Sequence, residues 1–371
     1  MCTTTGLVAL FDPPVADAST TANAAEAEFA QTLLATMRSA ATAIMISVGH
    51  RTHLFEAMKE GPATSAQLAE RAHLEERYVR EWLGAMVTSG IAALDRSSRL
   101  YHLPAAHAAL LGRDAVSGNM AGMFQFVSVM GAVESRIVEC FHSGGGVPYD
   151  AYERFHDVMA EESAQTTVAA IEDSIVPLVP GLAARLEGGI AVADIGCGQG
   201  KALNRLAALY PASRFTGFDL CADTVAVARA EAMALGLSNV EFEQRDATHL
   251  APGGGYDLIF TFDAVHDQAH PAAVLANIRR LLNPGGVYIM QDVDARSDVA
   301  DNLDHPLGPF VYAISCMHCM SVSLAQGGAG LGAAWGEELA AAMLKDAGFT
   351  SVEAARLDHD IMNIYFVCRG D

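Results

Sequence analysis

The rhythm of apolar residues in this chain changes at Gly189, and that change limits the possible folds more than any other feature. Before it, apolar side chains recur at helical spacing. After it, runs of strand length alternate with amphipathic segments. The runs are Ile190–Ile195, Arg214–Asp219, Val240–Gln244, Leu258–Phe262 and Val287–Gln291, and helices are expected between them at about 200–210, 222–236 and 271–282. Strands alternating with helices build a parallel sheet through right-handed crossovers. After a helix over Trp335–Ala347, the strands Ser351–Arg356 and Asn363–Cys368 are joined too closely for a crossover and are expected to pair antiparallel.

A chain of 371 residues exceeds one ordinary domain, so two are expected. Residues 1–25, rich in Thr, Ala and Pro, read as a loose arm. From Glu26 to Leu111 the spacing is helical, with breaks at Gly61-Pro62 and Gly90. Thr64 offers a cap ahead of apolar positions at helical spacing. A second helix, Glu75–Ser89, carries Val79, Leu83, Met86 and Val87 on one face. Ile91–Leu94, a polar turn over Asp95–Arg99 and Leu100–Leu103 then form a short hairpin. Helix, helix, hairpin is the pattern of a winged helix. Met120–Val133 is apolar and helical in spacing, Gly144-Gly145-Gly146 breaks the chain, and helices are expected at Tyr149–Ala160 and Gln165–Val176. The expected division is an arm at 1–25, a mainly helical winged-helix and dimerisation domain at 26–115, a helical linker and pocket segment at 116–188, and an α/β domain at 189–371.

Charge narrows the partners. The formal net charge is −21, and so negative a surface repels nucleic acid and anionic lipid. Residues 1–120 hold nine Lys/Arg against twelve Asp/Glu, and the helix that would read DNA sets Glu75, Glu76 and Glu81 against Arg77 and Arg80. The wing is therefore read as a dimerisation device, and the chain as a homodimer without nucleic-acid or membrane partners. Seven irregularly spaced cysteines and no signal-peptide pattern suggest a reducing, cytoplasmic setting. His305–Trp335 is uncharged, but its prolines and Gly327, Gly328, Gly330 and Gly332 suit a buried pocket wall better than a membrane span.

The first strand of the alternating region runs into Asp194-Ile195-Gly196-Cys197-Gly198-Gln199-Gly200. Glycine there lets the backbone turn sharply and approach a ligand. Asp219 closes the second strand, where a carboxylate can accept ribose hydroxyls, and Asp246 closes the third, followed by small Ala247, as suits an adenine amino group. A nicotinamide site would show G-x-G-x-x-G, whereas these glycines alternate.

With these motifs in place, residues 189–370 resemble a Rossmann-like, seven-stranded S-adenosylmethionine-dependent methyltransferase. The signature D-x-G-x-G-x-G stands at Asp194, Gly196, Gly198 and Gly200. The order of elements resembles the small-molecule O-methyltransferases with an N-terminal winged-helix domain and their bacterial relatives. Their F-N-x-x-M-x-x-x-S segment stands here at Phe155–Ser163, with Met159 and Ser163 in place but His156 for Asn. Their H-D-W stands at His266-Asp267-Gln268, with Gln268 for Trp, and Phe262 stands where a Lys is frequent. The resemblance implies S-adenosyl-L-methionine held by Met159, Ser163, Asp194, Gly196, Cys197, Gly198, Gly200, Asp219, Leu220, Asp246, Ala247 and Phe262. It implies methyl transfer to a small, hydrophobic or aromatic acceptor, with a hydroxyl expected. His266 is the candidate general base, and Asp292, ending the fifth strand, is its orienting carboxylate.

Met120, Phe124, Met317, His318 and Trp335 are candidates for the acceptor pocket, although a core or dimer role accounts better for the Met120–Met130 stripe. Cys316-Met317-His318-Cys319 invites a metal, but no second cysteine pair completes a four-ligand site, so no metal is expected. Two other functions fit the same motifs. One is N-, S- or C-methylation by proximity alone, and the other is a non-catalytic winged-helix regulator that senses a ligand.

Overall fold

The structure is a computed structural model and describes residues 21–115, 118–250 and 255–370. The described residues form two compact units, divided between Phe124 and Gln125.

The first unit contains α1 (Thr21–Arg51), α2 (Leu54–Lys59), α3 (Ser65–Ala72), α4 (Glu76–Thr88), β1 (Ala93–Leu94), β2 (Tyr101–His102) and α5 (Ala105–Leu111). Helix α1 takes in residues 21–25, which the sequence reading placed in a loose arm, because alanine-rich chain continues the helix upstream. Residues 1–20 of that arm lie outside the described residues. Thr64 and Gln67 form a reciprocal capping box at the start of α3. The wing pairs antiparallel, with Ala93 opposite His102.

The core of this unit gathers on Trp82. Its ring packs edge-on against Phe55 at 5.4 Å, and its indole N–H donates to the Met45 carbonyl at 2.8 Å. A Cβ at Gly49 would lie 2.6 Å from the indole, so glycine lets α1 and α4 approach. On α4, Arg77 pairs with Glu81 and Arg80 with Glu76. On α1, Phe29, Leu33 and Met37 are 62%, 55% and 70% exposed.

In the second unit α6 spans Gln125–Ser143. The helix expected from Met120 begins five residues later. The Asn119 side chain accepts the Ala121 N–H at 2.8 Å, and a tight turn over Gly122–Phe124 follows. The helix expected over Tyr149–Ala160 is also divided. A single turn at Tyr149–Ala151 precedes α7 (Phe155–Ser163), and Arg154 between them has φ 64°, which breaks a right-handed helix. Wide π-helical turns at Ala164–Val168 and Ile171–Ile175 follow, then α8 (Leu182–Gly188).

The α/β part then alternates as expected through β3 (Ala191–Ile195), α9 (Lys201–Leu209), β4 (Arg214–Asp219), α10 (Ala222–Ala234), β5 (Val240–Gln244), β6 (Tyr256–Phe262), α11 (Pro271–Leu281) and β7 (Leu282–Val293). After α12 (Gly308–Ile314), α13 (Met320–Ala325) and α14 (Gly336–Asp346) come β8 (Ser351–Ala355) and β9 (Asn363–Arg369). The seven strands lie in the order β5-β4-β3-β6-β7-β9-β8. All neighbours are parallel except β9, which runs antiparallel to both β7 and β8.

Strand periodicity divides the core between the two faces. Leu258 and Phe260 join one apolar cluster with Ile175, Leu203 and Phe215, while Ile259 joins the other with Leu275, Tyr288 and Phe366. Each fully buried side chain of this size contributes about 1.5–3 kcal/mol. The strand order reverses between β3 and β6, and a crevice opens at such a switch, beyond the carboxyl ends of the strands. Two stretches, Asn23–Arg51 and Gly308–Ala325, are apolar and long enough to cross a membrane by length and composition, and the second is 44% buried within the fold.

Candidate active site

The crevice is floored by the loop after β3. Gly196, Gly198 and Gly200 have φ of 77°, 51° and 71°, which favour glycine. A Cβ at Gly196 would meet Ala264 at 2.4 Å, and one at Gly200 would meet the Phe242 ring at 2.5 Å. At Gly198 a Cβ would meet nothing within 4 Å. Gly196 and Gly200 are thus glycines for packing, and Gly198 presents bare backbone to open space.

Asp219 holds this loop in shape. Its carboxylate accepts the Gly198 N–H at 2.8 Å, the Cys221 N–H at 2.8 Å and the Thr224 hydroxyl at 3.1 Å. Asp246 accepts from the Thr248 N–H and hydroxyl and lies 3.0 Å from the His249 ring. Both carboxylates border a cleft of about 340 Å³. Every residue expected to hold the cofactor lines this cleft except Gly200, which packs behind it.

The cleft has further acidic walls. Asp263 follows β6 with φ 49°, and its N–H donates to the Gln291 carbonyl at 3.1 Å. Asp267 accepts the Tyr149 hydroxyl through Oδ2. Asp194 is 2% exposed. Buried oxygens of all three, Asp194 Oδ1, Asp263 Oδ1 and Asp267 Oδ1, have no hydrogen-bond partner. Burial pushes the Asp194 carboxyl up to about 8, helped by Asp219, and that of Asp267 up to about 6. Burial and the neighbouring Asp292 hold Asp263 well above the carboxylate range.

His266 and Asp292, 26 residues apart in the chain, meet in the interior with Nδ1 and Oδ1 2.7 Å apart. They are 4% and 1% exposed. The same Oδ1 also accepts the Val293 N–H at 2.8 Å and the Trp335 indole N–H at 2.9 Å, while Oδ2 has no partner. The Cys319 sulfur hydrogen-bonds the His266 ring. Burial alone would lower the imidazole, but the Asp292 carboxylate and Cys319 outweigh it and hold the ring well above the ordinary histidine range. The pair does not itself form the cleft wall, whereas Asp263, Ala264, Asp267 and Gln268 on either side of His266 do.

The expected acceptor-pocket residues fall elsewhere. Trp335 is a support for Asp292 and is 4% exposed. His318, 2% exposed, stacks on Phe155 with ring centroids 3.5 Å apart, and both its nitrogens lack partners. Burial holds it well below the ordinary histidine range, as a neutral ring. Met317 packs against the apolar cluster of α6 and α7, and its carbonyl accepts the Tyr152 hydroxyl at 2.6 Å. In the first unit, Met120 is 44% exposed and Phe124 packs on that unit's own core. The side chains best placed to hold a metal are Asp263, His266 and Asp292 rather than the Cys316–Cys319 group. Each offers one ligand atom within 4.8 Å of the others, although the His266–Asp292 hydrogen bond already occupies one face.

Residues 40–113 match the family of Rv2258c-like winged helix-turn-helix domains, and residues 186–340 match a methyltransferase domain family. Among curated proteins, the trans-aconitate 2-methyltransferase of Acidovorax sp. (strain JS42) is 32% identical over 163 residues, covering 44% of this chain and 53% of that protein. The chain thus spans about half the length of such relatives. Among solved structures, the mitomycin 7-O-methyltransferase MmcR has a TM-score of 0.68 at 20% identity, covering 94% of this chain and 100% of that one. Human N-acetylserotonin methyltransferase, solved in complex with SAM, has a TM-score of 0.63 at 16% identity, covering 96% and 100%. These structural likenesses show the fold. The chain thus carries a winged helix-turn-helix domain ahead of a methyltransferase domain.

Proposed function

We propose that this protein transfers a methyl group from S-adenosylmethionine to a hydroxyl of a small, hydrophobic or aromatic acceptor, with His266 as the base. The observation that carries this reading is the buried His266–Asp292 pair at 2.7 Å, steadied by Trp335 directly behind the cleft wall.

The residues present fit the cofactor. Gly198 leaves its backbone open, Asp219 and Asp246 place carboxylates at the ends of adjacent strands, and Met159 and Ser163 approach from α7. When bound, the sulfonium cofactor supplies an electrophilic methyl group. The chain's own part is to bind, orient and remove a proton. Asp292 accepts the Nδ1–H of His266, so Nε2, the nitrogen left to the Cys319 sulfur, receives the acceptor proton when that contact yields. The ring's raised affinity for a proton makes it a strong acceptor, but only its neutral form can act. Turnover on a hydroxyl acceptor is therefore expected to climb into the alkaline range.

A second reading is N-, S- or C-methylation by proximity alone. It is favoured by the absence of His266 from the cleft wall and by its contact with Cys319. One experiment separates the two. His266→Gln is assayed for calorimetric cofactor affinity and for transfer of labelled methyl to a panel of phenols, amines and thiols. A loss of about 10²–10⁴ in turnover at unchanged cofactor affinity supports the base. Full turnover across the pH range removes His266 from the chemistry, and an absence of cofactor binding by the wild type removes the whole reading.

Beyond the small-molecule acceptor, the partner we read is a second copy of the chain, seated on the exposed apolar residues of α1. The free thiols of the six described cysteines suit a cytoplasmic setting.

A further inference from the structure

The cleft is short of positive charge. Asp194, Asp219, Asp246, Asp263 and Asp267 all line it. Its basic side chains are largely engaged. Lys201 is tied to Glu231 at 2.5 Å, Arg245 to Glu243 at 3.0 Å and His249 to Asp246 at 3.0 Å. His156 stacks on Tyr149, and His270 completes the set.

Buried acceptors without donors are rare in folded proteins, and each one asks for a partner. Three carboxylate oxygens here have none: Asp194 Oδ1, Asp263 Oδ1 and Asp267 Oδ1. They are not equivalent. Asp194 ends β3 beside the glycine loop and Asp219, on the cofactor side. Asp263 lies next to the His266–Asp292 pair. Asp267, next to His266 in the chain, lies between the two, with Oδ2 fixed by the Tyr149 hydroxyl and Oδ1 without a partner. Tyr149 and Phe155 add aromatic walls to the same cleft. A buried carboxylate with one oxygen pinned, beside aromatic faces, is a receptor for an ammonium or N–H donor.

We infer that the acceptor is an aromatic compound bearing an amine or other N–H donor, which Asp267 binds, and that the cleft rejects carboxylate-bearing acceptors. This rests on the methyl-transfer reading and deepens it. An anionic acceptor would face the Asp267 carboxylate with no free lysine or arginine among the lining residues, so the tricarboxylate for which the Acidovorax relative is named does not suit this site. Electrostatic selection of this kind acts by rejecting the wrong charge as much as by attracting the right one.

The test uses three phenols of nearly equal size: tyramine, 4-ethylphenol and 4-hydroxyphenylacetate. Their affinity for the full chain saturated with S-adenosylhomocysteine is measured by calorimetry. Tyramine is expected to bind about ten-fold tighter than 4-ethylphenol, a contribution of one charged hydrogen bond, and 4-hydroxyphenylacetate weakest. Asp267→Asn should remove the advantage of tyramine and leave 4-ethylphenol within about two-fold. Equal affinities in the wild type, a preference for the carboxylate, no binding of tyramine, or a tyramine preference that survives in Asp267→Asn would each overturn the inference. The comparison within the wild type does not depend on the variant folding. It also does not depend on turnover: a chain that prefers tyramine but transfers no methyl group keeps this inference and loses the proposed function.

Discussion

Replacing Asp292 by Asn probes the centre of the site with the least change in shape. An amide oxygen in place of Oδ1 still accepts from Val293, Trp335 and His266. The charge is lost, and an NH2 group enters the position of Oδ2, where no partner waits. Breaking a buried ion pair costs about 3–5 kcal/mol, and with three hydrogen bonds retained the low end applies, about 3 kcal/mol. In a domain of this size that lowers the melting temperature by about 6–12 °C.

The sign with pH follows from His266, whose folded pKa lies above its unfolded one. The pair's stabilisation is complete below the unfolded imidazole value and is lost as pH rises through the folded value. Urea unfolding of wild type and Asp292→Asn should therefore differ most at about pH 5.5 and least at about pH 9.5. In the same variant, burial no longer opposed by a carboxylate lowers the imidazole, so the rise of turnover with pH moves to lower pH while its plateau falls. A stability difference that is the same at both pH values, together with an unmoved rate profile, would refute the charged-pair reasoning.

Three further outcomes are expected. Gly200→Ala, which drives a methyl into the Phe242 ring at 2.5 Å and also strains a φ of 71°, should cost about 2–4 kcal/mol in chemical denaturation, whereas Gly198→Ala, strained by its φ of 51° alone, should cost about 1 kcal/mol but bind cofactor at least about ten-fold more weakly by calorimetry. Glu162, whose carboxyl burial and Asp360 push up to about 7, is destabilising once charged; the penalty is absent below the unfolded carboxyl value and complete above about 7. Glu162→Gln should accordingly stabilise the protein at pH 8 by up to about 3 kcal/mol and have little effect at pH 5, as read from urea midpoints. Sedimentation at micromolar concentration should give a dimer, and Met37→Glu, on the 70%-exposed stripe of α1, should give a monomer.

The parts of the site that could be read in the sequence are those whose cause is local. Alternating glycines after an apolar run force a turn, and an acid at the end of each following strand is placed by the parallel sheet itself. Asp194, Asp219 and Asp246 therefore come to one cleft as spacing suggests. What escaped notice depends on distant meetings. Tyr149 reaches Asp267 across 118 residues and Trp335 reaches Asp292 across 43, and nothing near either residue announces its partner. Trp335 resembles a pocket aromatic until the direction of its indole N–H is known. Asp263 is aimed by a left-handed backbone that hydrophobic periodicity does not report. The helix assigned from Met120 failed for a related reason: one side-chain bond from Asn119 forms a turn inside an apolar run.

The reversal of strand order at β3 also governs the sequence of events in folding. Val192 pairs with Phe215 on one side, 23 residues away, and with Leu258 on the other, 66 residues away. Closing the longer loop costs about 0.9 kcal/mol more in chain entropy, so the β3–β4 seam forms ahead of the β3–β6 seam. The glycine loop and Asp219 sit on the early seam, whereas Asp263 and His266 follow β6 and Asp292 lies in β7 beside it. His266 and Asp292 lie only 26 residues apart, so their half of the cleft also closes a short loop. Each half of the site is thus local in the chain, and the β3–β6 seam that brings Gly196 against Ala264 joins the two last.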